Sequence, residues 1–571
     1  MQQDGYPHPI MLMSTSGFYT DNSPPDGRWC EIIERWNTEH TDIVLKTATV
    51  SEWYEALQTL DQESWPTYQV AWPDHWAHGL GSTTARIAQA RRMQRNRQNT
   101  MAIVKRAEQA EQAEQAEHAK NSQPTRFLEI ALEQERLALE HTFNAWSTTA
   151  HPTSALNEFQ KAAKDLRFHR AELYFNEAIG TALRVLMPEA KPETGLYVLS
   201  HDIGRHNSDD DATLRSVHFD AGDVQPDPKN QVLVDSEGNR YPFQLDHPSP
   251  PQFIATVPVK VANLAEFRLE ATDNDTRPEP VQPHCSIETG DWHLTVDPAT
   301  GGLTSLKELA SDQEWVDSTH QHAFGQLVHE TVIHPAGREA VGNMARLMAL
   351  DVISEQQRAA FADTPVFEHT RLQIDPDVER VSGPVFDAIE LNGVADPIGR
   401  VKISWRVFHK LPVVELVLDW DKRWSDLPEA AYIAFPFTGQ NGSLALESGG
   451  GFFQPGSHET GGQLPGTCSH YYTIQRAAHI TAENDASLLW LPLDAPLVMP
   501  NGINYNRWET GPWDWNGFLA SMPVNHYWHT NFATSQRGNI RLRYRFISPQ
   551  ALANRETAIQ TALPLAALGW R

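Results

Sequence analysis

The apolar residues change period near residue 190, and that change restricts the chain to several domains, helical first and β later. Before it lie three long stretches of helical spacing. The first, about 83–120, ends in "AEQAEQAEQAEHA", a period-three tract that no 3.6-residue face can use, so it reads as a solvated helix end. The second, about 124–146, has Leu128, Leu132, Leu139, Phe143 and Trp146 as its apolar stripe. The third, about 154–187, places Leu156, Phe159, Ala163, Leu166 and Leu173 inside and is stopped by Pro188. Short connections between long helices predict an antiparallel three-helix bundle over 83–190.

Beyond residue 190, Pro, Gly and Asp punctuate short β-prone runs such as "GLYVLSHD" and "QFIATVPVKV". "WHLTVDP" sets Trp292, Leu294 and Val296 against His293, Thr295 and Asp297. "NIRLRYRFI" sets Ile540, Leu542, Tyr544 and Phe546 against Arg541, Arg543 and Arg545. Period-two alternation with one wet face predicts antiparallel sheets. They divide into a small β domain, 191–284, and a large β-sandwich, 285–571.

The first 82 residues read as α/β. "IMLMSTSG" is an apolar run ending in small residues, as for a buried strand reaching a loop. "DGRWCEIIERWNTEH" puts Trp29, Ile32, Ile33 and Trp36 on one helical face. "TDIVLKTATVSEWYEAL" predicts a strand, a turn and a helix opened by Ser51. With 571 residues the chain is too long for one core. Its net charge of −27 argues against nucleic acid and anionic membrane as partners. Cys30, Cys285 and Cys468 have no metal spacing and read as free thiols in a reducing compartment. With no secretory signal in "MQQDGYPHPIMLMSTSG" and no long apolar span, the expectation is a cytoplasmic location. Its 18 tryptophans suit either sugar stacking or core filling.

One tract concentrates chemistry: "AWPDHWAHGLGSTTARIAQARR" holds Asp74, His75 and His78 among tryptophans before a Gly-Ser turn. In "PDHWAHGLGSTTARIAQARR" an Asp-His pair stands four residues before Gly79, followed by Ser/Thr and a basic helix. "GDWHLTVDPATGGLTSLKEL", "EAAYIAFPF", "LPLDAPLV" and "NHYWHTNFATSQRGNIRLRYRF" follow in order; the last carries Asn525, Trp528, Thr530, Asn531, Phe532, Gly538 and Arg543-Tyr544. Together these resemble glycoside hydrolase family 38, the zinc-dependent retaining α-mannosidases, over nearly the whole chain.

The resemblance implies a multidomain α+β protein: the end of an α/β catalytic barrel in 1–82, a three-helix bundle, and a large antiparallel β-sandwich. It implies an α-mannoside substrate, a zinc cofactor and His75 as the family's C-terminal zinc-binding histidine, with His78 as rival and Asp74 and Trp76 beside the sugar. The family's His-x-Asp zinc pair and nucleophilic aspartate have no counterpart here. The chain therefore resembles the C-terminal portion of such an enzyme, its catalytic half supplied by an upstream frame or a separate chain. The loop matching the family's acid/base segment is "STSGFYTDNSPPD", where Asp21 is the nearest carboxylate.

Each of these residues has a structural alternative. Zinc needs at least three protein ligands, and one histidine cannot hold it tightly; His75 could pack on Trp72 or Trp76. "TDNSPPD" is also ordinary turn chemistry around Asp21. "ESGGGFFQPGSHETGG" lacks the Lys-Ser/Thr of a phosphate loop and reads as a strand connection that could reach the sugar pocket. "NRWETGPWDWNG" offers Trp513, Asp514 and Trp515 as sugar contacts or as a core wedge. "SHDIGRHNSDDD" reads as a solvated turn. The other functional reading is a non-catalytic carbohydrate-binding or scaffold protein.

Overall fold

The computed structural model describes residues 8–13, 26–60, 65, 67–114, 122–140, 151–188, 195–199, 212–220, 226–260, 264–272, 285–334, 366–425, 427–439, 441–503, 510–527, 532–533, 535–552 and 554–568. The chain divides into two units, 1–69 and 70–571.

The first unit contains helices α1 (Arg28–Glu39) and α2 (Val50–Gln58). No residue of either helix is buried. The chain leaving α1 is fastened back along it: Trp36 Nε1 donates to Ile43 O at 2.9 Å, and the Asn37 side chain both donates to Leu45 O and accepts from Leu45 N. Thr49 and Glu52 form a reciprocal capping box at α2, so the helix opens at Thr49 rather than Ser51. Neither expected strand is present among the described residues: 10–13 and 44–49 have no ladder, and 14–17 lie outside the described residues. Segment 43–45 bonds to helix side chains instead of a neighbouring strand, and Ile43 and Val44 are exposed.

The second unit begins with a 3-10 turn, His75–Thr83, that runs into α3 (Thr84–Glu114). Then come α4 (Gln123–Ala138), with Pro at its first turn, and α5 (Ala155–Leu186), capped by Ser154. The three helices pack on one another. Ile87, Ala90 and Met93 of α3 meet Ala131 and Ala138 of α4 and Phe168, Ala171 and Phe175 of α5. Leu128, Leu132 and Leu139 pack against this cluster as expected; Phe143 and Trp146 lie outside the described residues. The stripe expected inside α5 faces the other way. Leu156, Phe159, Leu166 and Leu173 are at least half exposed, because the small residues Ala171, Ala178 and Ala182 permit close helix approach on the opposite face.

Two four-stranded sheets form the smaller β layer. One pairs Gly195–Leu199, Leu264–Ala271, Gln231–Asp235 and Arg240–Tyr241; the other pairs Leu565–Ala566, Thr213–Asp220, Pro251–Val259 and Phe243–Pro248. Phe219, Phe243, Phe253 and Phe267 fill the space between them. The strand Leu565–Ala566 runs parallel to Thr213–Asp220, so the small layer recruits residues from the end of the large β region. It follows helix α6 (Arg555–Ala562).

The large β region has a four-stranded sheet over 286–314, a six-stranded sheet and a ten-stranded sheet. The strand Trp292–Val296 alternates as read, with Trp292, Leu294 and Val296 buried. Trp292, Trp315, Trp405, Trp420 and Trp490 are all fully buried in the core shared by these sheets. Core filling therefore accounts for many of the tryptophans.

The strand Gly538–Ile547 departs from its expected wet face. Arg545 is fully buried and donates to Glu415 Oε1 at 2.7 Å, Ser216 Oγ at 2.8 Å and Ala562 O at 2.8 Å. Arg543 makes two 2.9 Å bonds to buried Asp494. Arg406 and Arg541 both donate to Asp246 from the small β layer. The arginine face is an ion-paired seam under the small β layer and the helices. Burying a charge without a partner costs several kcal/mol, whereas these charges are matched. Glu415→Ala strands Arg545 and is expected to lower unfolding stability by about 3–5 kcal/mol in urea titration; a loss within about 0.5 kcal/mol would contradict a buried pair.

Candidate functional site

The chain enters the second unit against the Gly-rich loop. Ala71 N donates to Gly462 O and Leu464 N donates to Ala71 O, each at 2.8 Å, making a parallel bridge to Gln463. Asp74 O then accepts from Ala77 N at 3.2 Å as the 3-10 turn opens. The turn lies across Tyr472–Thr473, Leu497–Pro500 and Phe518–Asn525, three strands of the six-stranded sheet. Glycine is required at position 79, where a Cβ would fall 2.2 Å from the Phe532 ring.

A buried carboxylate holds the end of the turn in place. His526 Nε2 lies 3.2 Å from Ser82 O and its Nδ1 lies 2.9 Å from Glu429 Oε1. The other Glu429 oxygen meets His329 Nε2 at 2.8 Å, and Lys422 Nζ donates to Oε1. All four side chains are out of solvent. Burial alone would raise the Glu429 carboxyl, but His329, His526 and Lys422 more than offset it and hold it well below the usual range. Burial pulls His526 down, with Glu429 opposing.

The Gly-rich loop is stiffened around Gln463. Its Oε1 accepts from Gly456 N at 2.9 Å and Tyr472 OH at 2.8 Å, while its Nε2 donates to Thr467 Oγ1 and Cys468 O, both at 3.1 Å. Gly456 has φ +76° and passes so close to the Trp513 ring that a Cβ would sit 2.4 Å from it. Trp513 Nε1 donates to Ser469 O at 2.8 Å. Burial pushes the Cys468 thiol up, and Asp74 adds to the effect. Segment 71–74, the Gly-rich loop and Trp513 are thus gathered together.

The sequence-derived candidates fall out as follows. Asp21 lies outside the described residues. The backbones of His75, Trp76 and His78 form the 3-10 turn, and their side chains lie outside the description. Asp74 is exposed beside the Gly-rich loop, and Trp72 is 73% exposed. Asp514 is exposed and its carbonyl accepts from Asn501 Nδ2 at 2.9 Å. Trp515 is a correction: it is buried in the sandwich core and is not among the exposed loop groups. "SHDIGRHNSDDD" lies wholly outside the described residues. Among the described residues no group of three His, Cys, Asp or Glu could hold a metal, so they do not by themselves fit a zinc ion.

Sequence reasoning missed a second polar cluster. Glu330 Oε1 accepts from Tyr527 OH at 2.7 Å and Tyr432 OH at 3.0 Å, and its Oε2 lies 2.7 Å from His369 Nε2. Tyr432 and Tyr527 pack with Cys468 and Tyr471, on the face that carries the turn. The available signal was a carboxylate inside a β-prone run, in "QLVHETVI" for Glu330 and at the start of the mostly apolar "EAAYIAFP" for Glu429.

No sequence-family profile matches the chain, and no curated protein matches it in sequence. Solved structures do match in fold. An α-mannosidase from Enterococcus faecalis V583 superposes with a TM-score of 0.58 at 10% identity, covering 96% of this chain and 65% of that one. A protein in the glycosyl hydrolase family 38, also from Enterococcus faecalis, gives a TM-score of 0.55 at 10% identity over 96% of this chain and 66% of the other. This chain shares their fold. It spans slightly less than two thirds of either neighbour's length.

His322, buried beside Phe518, is pulled down to about 4 by burial and by Arg371 and His320. A histidine that stays neutral when folded binds its proton only in the unfolded chain, so stability falls as pH drops from about 6.5 towards about 4. Glu429 is depressed, so its contribution is lost only at still lower pH, as its folded value is approached. Urea midpoints measured from neutral pH downwards are expected to fall across this window, with a shallower fall in His322→Gln; a flat profile would contradict the neutral buried histidine.

Proposed function

We propose that this chain forms the helical and β-sandwich portion of an α-mannosidase-like glycoside hydrolase, acting on the O-glycosidic bond of α-mannosides. The observation that supports it best is the shared fold over 96% of the chain with an α-mannosidase. The gathered loops fit that reading: Asp74, the Gly-rich loop and Trp513 form one side of a sugar pocket, and a half-buried indole suits the C–H face of a pyranose. Trp76 and Asp514 stand in the same segments as further sugar contacts.

Retaining hydrolysis needs two carboxylates about 5–5.5 Å apart, a nucleophile and an acid/base. In this reading the nucleophile and the His-x-Asp metal pair belong to a catalytic portion outside these residues, encoded upstream or by a separate chain. Asp21 is the acid/base candidate. His75, or its rival His78, supplies one zinc ligand to a site completed by that portion. No helix among the described residues is long and apolar enough to cross a membrane. The unbridged thiols of Cys30, Cys285 and Cys468 support a cytoplasmic setting.

The test pairs turnover with binding. Hydrolysis of an aryl α-mannoside is expected when zinc and the catalytic portion are both added. Calorimetry with an α-mannobiose is expected to detect binding that Trp513→Ala weakens about tenfold, the size of one lost aromatic contact. Binding without turnover in the reconstituted pair would make this a non-catalytic carbohydrate-binding protein. Neither binding nor turnover would overturn the reading.

A further inference from the structure

A cleft of about 960 Å³ opens between α3 and the β region, with Leu80, Pro496 and Leu565 among its apolar walls. Its charged lining is unbalanced. Arg91, Arg95, Arg97, Arg215 and Arg476 stand against Glu447 and Glu556. Both acids are consumed by Arg476, which bonds Glu447 at 2.6 Å and 2.8 Å and Glu556 at 2.6 Å and 2.9 Å.

Three of the other arginines, all on α3, lean on backbone carbonyls or on acids outside the cleft lining. Arg91 is held by four backbone carbonyls: Leu493 and Ile474 at 3.1 Å and 3.3 Å, and Gln475 and Pro492 at 2.7 Å and 2.9 Å. Arg95, one helical turn on, donates to Leu493 O and lies 3.8 Å from Asp494, whose two oxygens are already bonded to Arg543. Arg97 stands 3.3 Å from Glu135, with over a third of its side chain exposed. Burial pulls Arg91 down to about 10, which still leaves it charged at neutral pH, and pulls Arg95 well below its ordinary value, with Asp494 opposing. A chain of net charge −27 has thus gathered arginines along one wall of a cleft.

We propose that this cleft binds a small polyhydroxylated oxyanion, a sugar phosphate or a sugar acid. Guanidinium groups recognise phosphate and carboxylate oxygens alike. The amides of Gln94, Gln98 and Gln560, on the same lining, suit hydroxyl groups. The volume lies in the range of small-molecule sites and exceeds what a bare inorganic anion fills. The cleft shares Leu80 of the 3-10 turn and the first residues of the Gly-rich loop, Glu447–Gly450, but Asp74, Gln463 and Trp513 do not line it, and the proposal does not rest on α-mannoside hydrolysis.

The test is calorimetric titration of the whole chain at low salt with mannose 6-phosphate and with glucuronate. At least one is expected to bind, more weakly as salt is raised, with neutral mannose failing to compete; which one binds identifies the head group. Gln94→Glu/Gln98→Glu adds to the cleft negative charge of the same sign as the ligand's, at two side chains for which no hydrogen bond is seen among the described residues. It is expected to weaken binding about tenfold or more, and Arg97→Gln on the exposed rim to act in the same direction. Failure of both anions to bind, competition by neutral mannose, or unaltered binding in both variants would overturn the proposal.

Discussion

The Glu429 carboxylate, wholly out of solvent, joins four separate parts of the chain through His329, His526 and Lys422. An ionised carboxylate in such a place is tolerable only with charged or hydrogen-bonding partners on both oxygens. His526 carries the network on to Ser82, the penultimate residue of the 3-10 turn. The turn's position, and with it the direction in which residues 71–78 leave the sheet, depends on this one ion cluster. Packing of Gly79 on Phe532 then fixes the height of the backbone above the sheet.

The same principle organises the opposite side of the sandwich. Arg406, Arg541 and Arg545 project from two strands of the ten-stranded sheet towards the small β layer and α6, which answer with Asp246, Ser216 and the carbonyl of Ala562, while Arg543 pairs with Asp494. Ion pairs with fixed geometry demand register more strictly than apolar contact does. They give the small β layer a defined seat on a surface that apolar packing alone would specify loosely.

The sequence showed the helices and strands more clearly than it showed what covers them. Period-two alternation located Trp292–Val296 and Gly538–Ile547, because side-chain direction is local. Whether Arg543 and Arg545 face water is decided by layers hundreds of residues away, such as Ser216, which no local pattern reveals. The exposed Phe159 and Leu166 on α5 failed for the same reason: a long helix offers several apolar faces, and its neighbours choose among them. In the first unit, Ile43 and Val44 have strand-like character but no strand beside them among the described residues, and a strand needs a partner for its backbone groups. At the site, the Asp74–Gly79 motif was legible and so was the loop around Trp513. The Glu330 and Glu429 clusters were not, since their partners come from strands far apart in sequence.

The segments around Asp74, Gln463 and Trp513 lie together, and the proposed function makes them one carbohydrate-facing surface. Hydrogen–deuterium exchange read by mass spectrometry, with and without an α-mannobiose, tests it most directly. Joint protection of peptides spanning 71–83, 454–470 and 510–517 is expected, with the amides of the opposite arginine seam unchanged. Protection confined to other surfaces, or none at saturating sugar, would contradict it.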